Sequence, residues 1–213
     1  MIQSKAWNWD VNVHDYWKNV SEEFFPVALQ WKADNYSNIL DLGCGIGRNA
    51  LYLARIGFEV YAFDLSVDGL SQLAKEAELQ NLEIKIKNGD MLDLSYGSNF
   101  FDCLLAFHSI YHTDFKGLSK VVSEMHRVLK KNGEMYITLN SKESDEWKIF
   151  SERRIDGYTL VKTEYSEIDV PHTYLTYDDV IKLLVDFKIM KIQQIFDYLG
   201  NRKHAHFFIR CNK

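Results

Sequence analysis

The run Ile39-Leu40-Asp41-Leu42-Gly43-Cys44-Gly45-Ile46-Gly47-Arg48-Asn49-Ala50 is where the sequence speaks most clearly. An apolar strand ends in a carboxylate, three alternating glycines follow, and a helical stretch from about Arg48 to Ile56 takes over. That is the layout of a ligand loop at the carboxyl end of a central strand. Glycine suits it because the chain turns sharply and a ligand approaches the backbone more closely than a Cβ allows. Gly45 to Ala50 also satisfies the dinucleotide fingerprint G-x-G-x-x-A, so the glycine spacing alone admits a nicotinamide enzyme.

Outward from this loop, apolar runs of strand length alternate with helix-period stretches from about residue 38 to 140, the pattern of parallel strands joined by covering helices. Ser37 to Leu42 and Glu59 to Phe63 read as buried strands, and Leu82 to Lys87 as a half-exposed edge strand. Phe100 to Phe107 is the longest near-continuous apolar run and reads as a central strand; Gly133 to Leu139 follows the same style. Between these two, Leu118, Val121, Val122, Met125, Val128 and Leu129 form one helical stripe. Lys130-Lys131-Asn132-Gly133 is expected to close that helix with cations and a glycine stop. Thr176 with Asp179 predicts a capping box ahead of a short helix. Two strands, roughly Ile189 to Tyr198 and His204 to Cys211, then pair through Gly200-Asn201 as an antiparallel hairpin. Val13 to Lys32 reads as one or two helices interrupted by Pro26.

The expected organisation of residues 1–213 is one domain: an N-terminal helical cap (1–35), a cofactor-binding core (36–140), a substrate-side insert (141–175) and a C-terminal helix and hairpin (176–213). At 46% hydrophobic residues the chain supports a buried core. A net charge of −5 argues against nucleic acid or an anionic membrane as main partner, since such binders need clustered cations. No window has the length of a signal peptide or membrane span, so a cytoplasmic protein is expected. The three cysteines lack C-x-x-C spacing and form no zinc or disulfide pattern. Cys44 reads as a small residue tolerated in a tight loop rather than a nucleophile.

Three carboxylates sharpen the loop's meaning. Asp41, two residues before the first glycine, would repel a pyrophosphate but can hold the ammonium of a methionine moiety. Asp64 ends the next strand, where a carboxylate accepts ribose hydroxyls in either reading. Asp90, in Asn88-Gly89-Asp90-Met91, can accept from an adenine amino group while Met91 offers an apolar platform.

With these residues in view, the chain resembles the class I S-adenosylmethionine-dependent methyltransferase superfamily. The resemblance is carried by Ile39 to Gly47, Asp64, Asn88-Gly89-Asp90-Met91, Phe101-Asp102 and Leu129 to Gly133, and covers about residues 36 to 140. Gly45 to Asn49 with Leu51-Tyr52-Leu53-Ala54 is also similar to the tellurite-resistance and thiopurine-type small-molecule methyltransferases. The resemblance implies a doubly wound, seven-stranded, mostly parallel sheet with an antiparallel C-terminal hairpin, in a Rossmann-like three-layer α/β/α sandwich. It implies that S-adenosylmethionine is held by Asp41, Gly43, Cys44, Gly45, Gly47, Arg48, Asp64, Leu65, Asp90 and Met91, with Phe107 and His108 beside the methionine portion. It also implies an N-terminal aromatic cap, for which Tyr16-Trp17 is the candidate.

A sulfonium methyl is already activated, so the expected mechanism is in-line positioning of a small-molecule acceptor with water excluded. A general base is optional; His112, His172 and Tyr16 are the candidate catalytic residues, with His108, Tyr111 and Tyr174 nearby in sequence. His126 is expected on a surface helix, and His204 and His206 on one side of a strand. No spacing supplies a convincing third metal ligand, so no metal is expected. The acidic cluster Glu143, Asp145 and Glu146 reads as an exposed loop or helix start. After the fourth strand stands Phe107-His108-Ser109-Ile110, not the Asp/Asn-Pro-Pro-aromatic element that grips an amino group, which lowers the weight of adenine and glutamine as acceptors. Residues 140–173, with Trp147, Phe150, Arg153, Arg154, Tyr158 and Tyr165, are long for a connection and mark the acceptor side. Two further classes stay open at this stage: a nicotinamide-dependent oxidoreductase, and a non-enzymatic S-adenosylmethionine-binding module.

Overall fold

The computed structural model describes residues 5–9, 18–163 and 167–213. In chain order the elements are α1 (Phe25–Ala33), β1 (Asn38–Leu42), α2 (Arg48–Arg55), β2 (Glu59–Asp64), α3 (Val67–Leu79), β3 (Ile84–Asn88), β4 (Phe101–Ala106), α4 (Phe115–Val128) and β5 (Leu129–Ser141). There follow α5 (Asp145–Ile149), β6 (Thr159–Val161), β7 (Pro171–Leu175), α6 (Tyr177–Leu183), β8 (Lys188–Leu199) and β9 (Arg202–Asn212).

Strands β3-β2-β1-β4-β5 are parallel neighbours in that order, and β9 pairs antiparallel with β5 from Glu134 to Asn140. Antiparallel β8 completes the far side. This is the doubly wound, mostly parallel sheet with a C-terminal antiparallel hairpin that the sequence predicts. Among the described residues the full sheet has nine strands rather than seven, because β7 joins the end of β5 at Asn140 and Ser141 and carries β6 with it. The extra pair comes from the 141–175 segment, whose short runs lacked a strand period long enough to read.

The apolar runs of β1 and β4 are continuous because both sheet faces are covered. Leu40, Leu42, Leu104 and Ala106 pack toward the stripe Leu118, Val121, Val122 and Met125 of α4. Ile39, Cys103 and Leu105 face Leu53, Leu70, Leu73 and Trp31 of α2, α3 and α1. Successive strand residues thus enter opposite layers, as a period of two requires.

Three boundaries differ from the expected ones. Pro26 stands in the first turn of α1 and starts the helix instead of interrupting it, since that position has no N–H to lose. Helix α4 ends at Val128, and Leu129 already pairs with Phe101; the left-handed residue of the following turn is Asn132 (φ 63°), not Gly133. Glu146, expected in an exposed cluster, is largely buried and takes hydrogen bonds from inside the fold, because β7 packs across α5. The capping box of α6, Thr176 with Asp179, is formed as predicted.

One buried carboxylate ties the outer elements to the sheet. Glu134 of β5 accepts from Trp31 Nε1 of α1 at 2.5 Å and from both Arg210 Nε and Nη2 of β9, the latter at 2.9 Å. Because removing it strands a partly buried guanidinium and an indole N–H, Glu134→Ala is expected to destabilise the fold by about 2–3 kcal/mol, discounted for the partial exposure of Arg210. A urea transition displaced to lower midpoint at unchanged slope is the confirming measurement.

Candidate functional site

Strand order reverses between β1 and β4, so a crevice opens at their carboxyl ends, where open α/β sheets place ligands. The crevice is open to solvent and, with that solvent counted, spans about 840 Å³. The glycine loop forms its floor. Gly43 and Cys44 donate their N–H groups to the Phe63 carbonyl at 2.7 and 3.2 Å, and Gly45 donates to Asp64 Oδ2 at 2.8 Å. Gly43 (φ 73°) and Gly45 (φ 56°) are both left-handed. A Cβ would lie 2.2 Å from the Ser109 Cβ at the first and 2.2 Å from the Trp9 ring at the second, so neither position accepts a side chain.

Of the residues anticipated around a cofactor, Gly43, Cys44, Arg48, Asp64, Leu65, Asp90, Met91, Phe107 and His108 line the crevice, as does His112. Asp41, Gly45 and Gly47 do not. Gly47 turns its Cα toward Leu73 and serves loop–helix packing, Gly45 is covered by Trp9, and Asp41 lies buried beneath the loop. Tyr16, Trp17, His14 and Tyr165 fall outside the described residues. The N-terminal aromatics found over the crevice are Trp7 and Trp9, with Lys5 and Ala6 beside them. Asn49, Phe63, Gly89 and Ser109 also contribute to the lining. Ser109 was legible only as a neighbour of His108; its hydroxyl donates to the Leu42 carbonyl at 2.7 Å and fastens β4 to the loop.

Asp41 is the most unusual carboxylate. It is 1% exposed, and its Oδ2 has no hydrogen-bond partner. Burial pushes its pKa up to about 7, with the nearby Arg48 guanidinium opposing the shift and Asp64 adding to it. An orphaned acceptor under a glycine loop is a place prepared for a donor that the chain does not supply. Asp64 is raised by burial and restrained by the N–H groups of Ser66 and Gly45 that its two oxygens accept. Arg48 is buried, at 8% exposure; it donates to the Asn19 carbonyl at 3.1 Å and stacks on Phe107 at 5.4 Å. Burial pushes the Cys44 thiol well up, which removes it as a nucleophile at neutral pH.

One wall of the crevice is rich in histidine. His108 has a left-handed backbone (φ 54°), held by its N–H on Thr138 Oγ1 at 2.6 Å, and its Nδ1 meets Tyr111 OH at 3.1 Å. His206 of β9 stacks edge-on to His108, with ring centres 4.6 Å apart. His112 lies between Trp7, at 5.5 Å, and His172, at 4.7 Å. Burial lowers the pKa of His108 and His112 well below the usual histidine range, and neighbouring histidines add to the effect. His206 falls to about 4 for the same reasons. His172 does not reach the crevice itself; it stands behind His112, where Glu167 joins the two. The fold therefore supplies the third metal-type donor that sequence spacing did not reveal. Arg154 stacks on Trp147 at 4.0 Å and donates to its carbonyl, so it is engaged within the insert.

Comparison with known proteins bears on the domain and its fold. Residues 39–133 match the family model described as a methyltransferase domain. The fold matches a methyltransferase from Methanosarcina mazei with a TM-score of 0.73 at 21% identity, over 85% of this chain and 96% of that one. It matches TehB from Haemophilus influenzae at TM-score 0.69 and 18% identity, over 91% and 63%. A third match is a 1,6-didemethyltoxoflavin-N1-methyltransferase from Burkholderia thailandensis, at TM-score 0.68 and 18% identity, over 93% and 81%. The chain spans only 20% to 51% of the length of the first curated relatives it matches. Residues 39–133 thus resemble a methyltransferase domain, and the fold is the one seen in the methyltransferase from Methanosarcina mazei. Antiparallel β9 stands beside β5 where a nicotinamide enzyme would begin its second parallel half. Among the described residues no helix is long and apolar enough to cross a membrane.

The raised Asp41 gives a signed prediction. The folded state binds a proton there that the unfolded chain releases near pH 4, so between about pH 4 and 7 stability falls as pH rises. Asp41→Asn should therefore stabilise the ligand-free protein at pH 8 by roughly 2–4 kcal/mol, with little effect at pH 4. Thermal melts at the two pH values give the comparison, and an equal shift at both would assign the effect to packing.

Proposed function

We propose that the chain is a methyltransferase that binds S-adenosylmethionine in the β1–β4 crevice and methylates a small molecule by in-line positioning. The observation that carries this reading is the unpartnered Asp41 oxygen beneath the glycine loop, flanked by Asp64 and Asp90 at the next two strand ends. When bound, S-adenosylmethionine supplies a sulfonium methyl: the acceptor's lone pair bonds to the methyl carbon while the carbon–sulfur bond breaks and its electron pair stays on sulfur.

The chain's own residues divide the work by position. Asp41 answers an ammonium, Asp64 a ribose edge, and Asp90 with Met91 an adenine ring. Arg48, on the same floor, faces a carboxylate. Trp7 and Trp9 cover the crevice and exclude water, the role earlier considered for Tyr16. The acceptor enters from the side of residues 141–175. The histidine wall is held neutral by burial, so it places no positive charge against a sulfonium and presents an unprotonated His112 ring nitrogen on the acceptor side. His172, behind it, orients His112 rather than touching the acceptor. The toxoflavin enzyme, whose structure contains both its heteroaromatic acceptor and S-adenosylhomocysteine, supports a small-molecule acceptor for this architecture. Three buried free cysteines accord with a reducing, cytoplasmic setting.

Titration calorimetry with S-adenosylmethionine and S-adenosylhomocysteine tests the reading directly; absence of heat with both overturns it. Asp64→Ala should weaken binding by at least about tenfold without unfolding the chain, the loss of charge-assisted hydrogen bonds of ~1.5–3 kcal/mol. Because an ammonium ligand prefers ionised Asp41, affinity should rise from pH 6 to pH 8 and binding should release protons, seen as a buffer-dependent enthalpy. With thiol, hydroxyl, amine and tellurite acceptors compared, His112→Ala should slow hydroxyl methylation by about 10²-fold or more and thiol methylation far less.

A further inference from the structure

Behind the crevice wall, His172 presents an arrangement that a neutral side chain does not satisfy. The ring is 1% exposed, and its Nδ1 stands 3.0 Å from the Val170 carbonyl oxygen. A carbonyl only accepts, so Nδ1 carries the proton and Nε2 of the neutral ring is left with a bare lone pair. That lone pair faces Glu167 Oε1 at 3.2 Å. Two acceptors at this distance repel unless a positive species sits between them.

The surrounding charges point the same way. Lys162 binds Glu167 Oε2 at 2.5 Å and Glu146 Oε2 at 3.3 Å, and Tyr174 donates to Glu146 at 2.7 Å. Two carboxylates share one ammonium, which leaves one buried negative charge to be compensated. His112 completes the set: one ring nitrogen each from His112 and His172 and a Glu167 oxygen all lie within 4.8 Å of one another. Two donors each ~2.1 Å from a common ion, at an angle near 100°, would be separated by about the 3.2 Å seen here. Both fixed ligands already have the outer partners that metal ligands use, the Val170 carbonyl on His172 and Lys162 on the far oxygen of Glu167.

We propose that His112, His172 and Glu167 bind a divalent first-row transition-metal ion, with zinc the preferred occupant. Two imidazoles and one carboxylate form a borderline-soft set that leaves at least one coordination position for water or a substrate atom. His112 belongs both to this trio and to the crevice lining, so the ion stands at the acceptor side of the site. Metal binding needs only this ligand geometry; its use in binding and acidifying an oxygen or sulfur acceptor rests on the methyltransferase reading above.

The test is a titration of chelator-treated protein with Co²⁺ and then Zn²⁺. One equivalent of cobalt should bind with a visible d–d absorption, and zinc should displace it. His172→Ala and Glu167→Gln should each weaken cobalt binding by about tenfold or more, whereas His126→Gln, on α4, should bind like the parent. S-adenosylhomocysteine affinity, measured on the same samples, separates the two readings: metal binding without nucleoside binding supports the site and removes the methyltransferase assignment. A parent protein that takes up no stoichiometric cobalt overturns the proposal and assigns a proton to the gap between His172 and Glu167. Uptake unchanged in both variants overturns it equally.

Discussion

The end of β2 holds the whole site together. The Phe63 carbonyl and the Asp64 carboxylate accept the N–H groups of Gly43, Cys44 and Gly45, so the loop after β1 is bonded to the neighbouring strand. A loop bound in this way must turn through left-handed conformations, which accounts for the glycines. It must also lie flat enough for Ser109 and Trp9 to close on it, which leaves no room for a Cβ. The crevice, its aromatic cover and the burial of Asp41 all depend on that attachment.

The site is also where the protein gives up stability. Asp41 is buried with an unsatisfied oxygen, His108 holds a left-handed backbone without being glycine, and the histidine wall is dehydrated. Each is costly in a ligand-free protein, and together they collect at the carboxyl ends of β1 and β4 rather than across the fold. Several charged groups elsewhere are matched: Glu134 with Trp31 and Arg210, Asp102 with Lys130, and Glu124 with Arg127. A buried unsatisfied carboxylate oxygen and a strained histidine beside one crevice describe a surface prepared for a ligand.

The residues that proved hardest to anticipate are those joined across long sequence distances. Trp9 lies on Gly45, His206 beside His108, and Glu167 between His112 and His172. No period or motif links these pairs: Trp9 comes from the N-terminal segment, and the other two are made as β7 and β9 arrive beside β5 from the far end of the chain. The insert was legible as an insert from its length and aromatic content. Its two strands were not, since three to five residues carry too little alternation to read.

The sequence by itself determined the strand–glycine–helix unit, the carboxylates at three successive strand ends, the apolar stripe of α4 and the closing hairpin. All of these are local patterns, in which burial on two faces or one is written directly as periodicity. Only the tertiary structure decided which glycines face the crevice, that Arg48 is buried, and that the histidines converge. Those outcomes depend on how separate elements pack against the two faces of the sheet, where a side chain's role is set by neighbours that lie a hundred residues away.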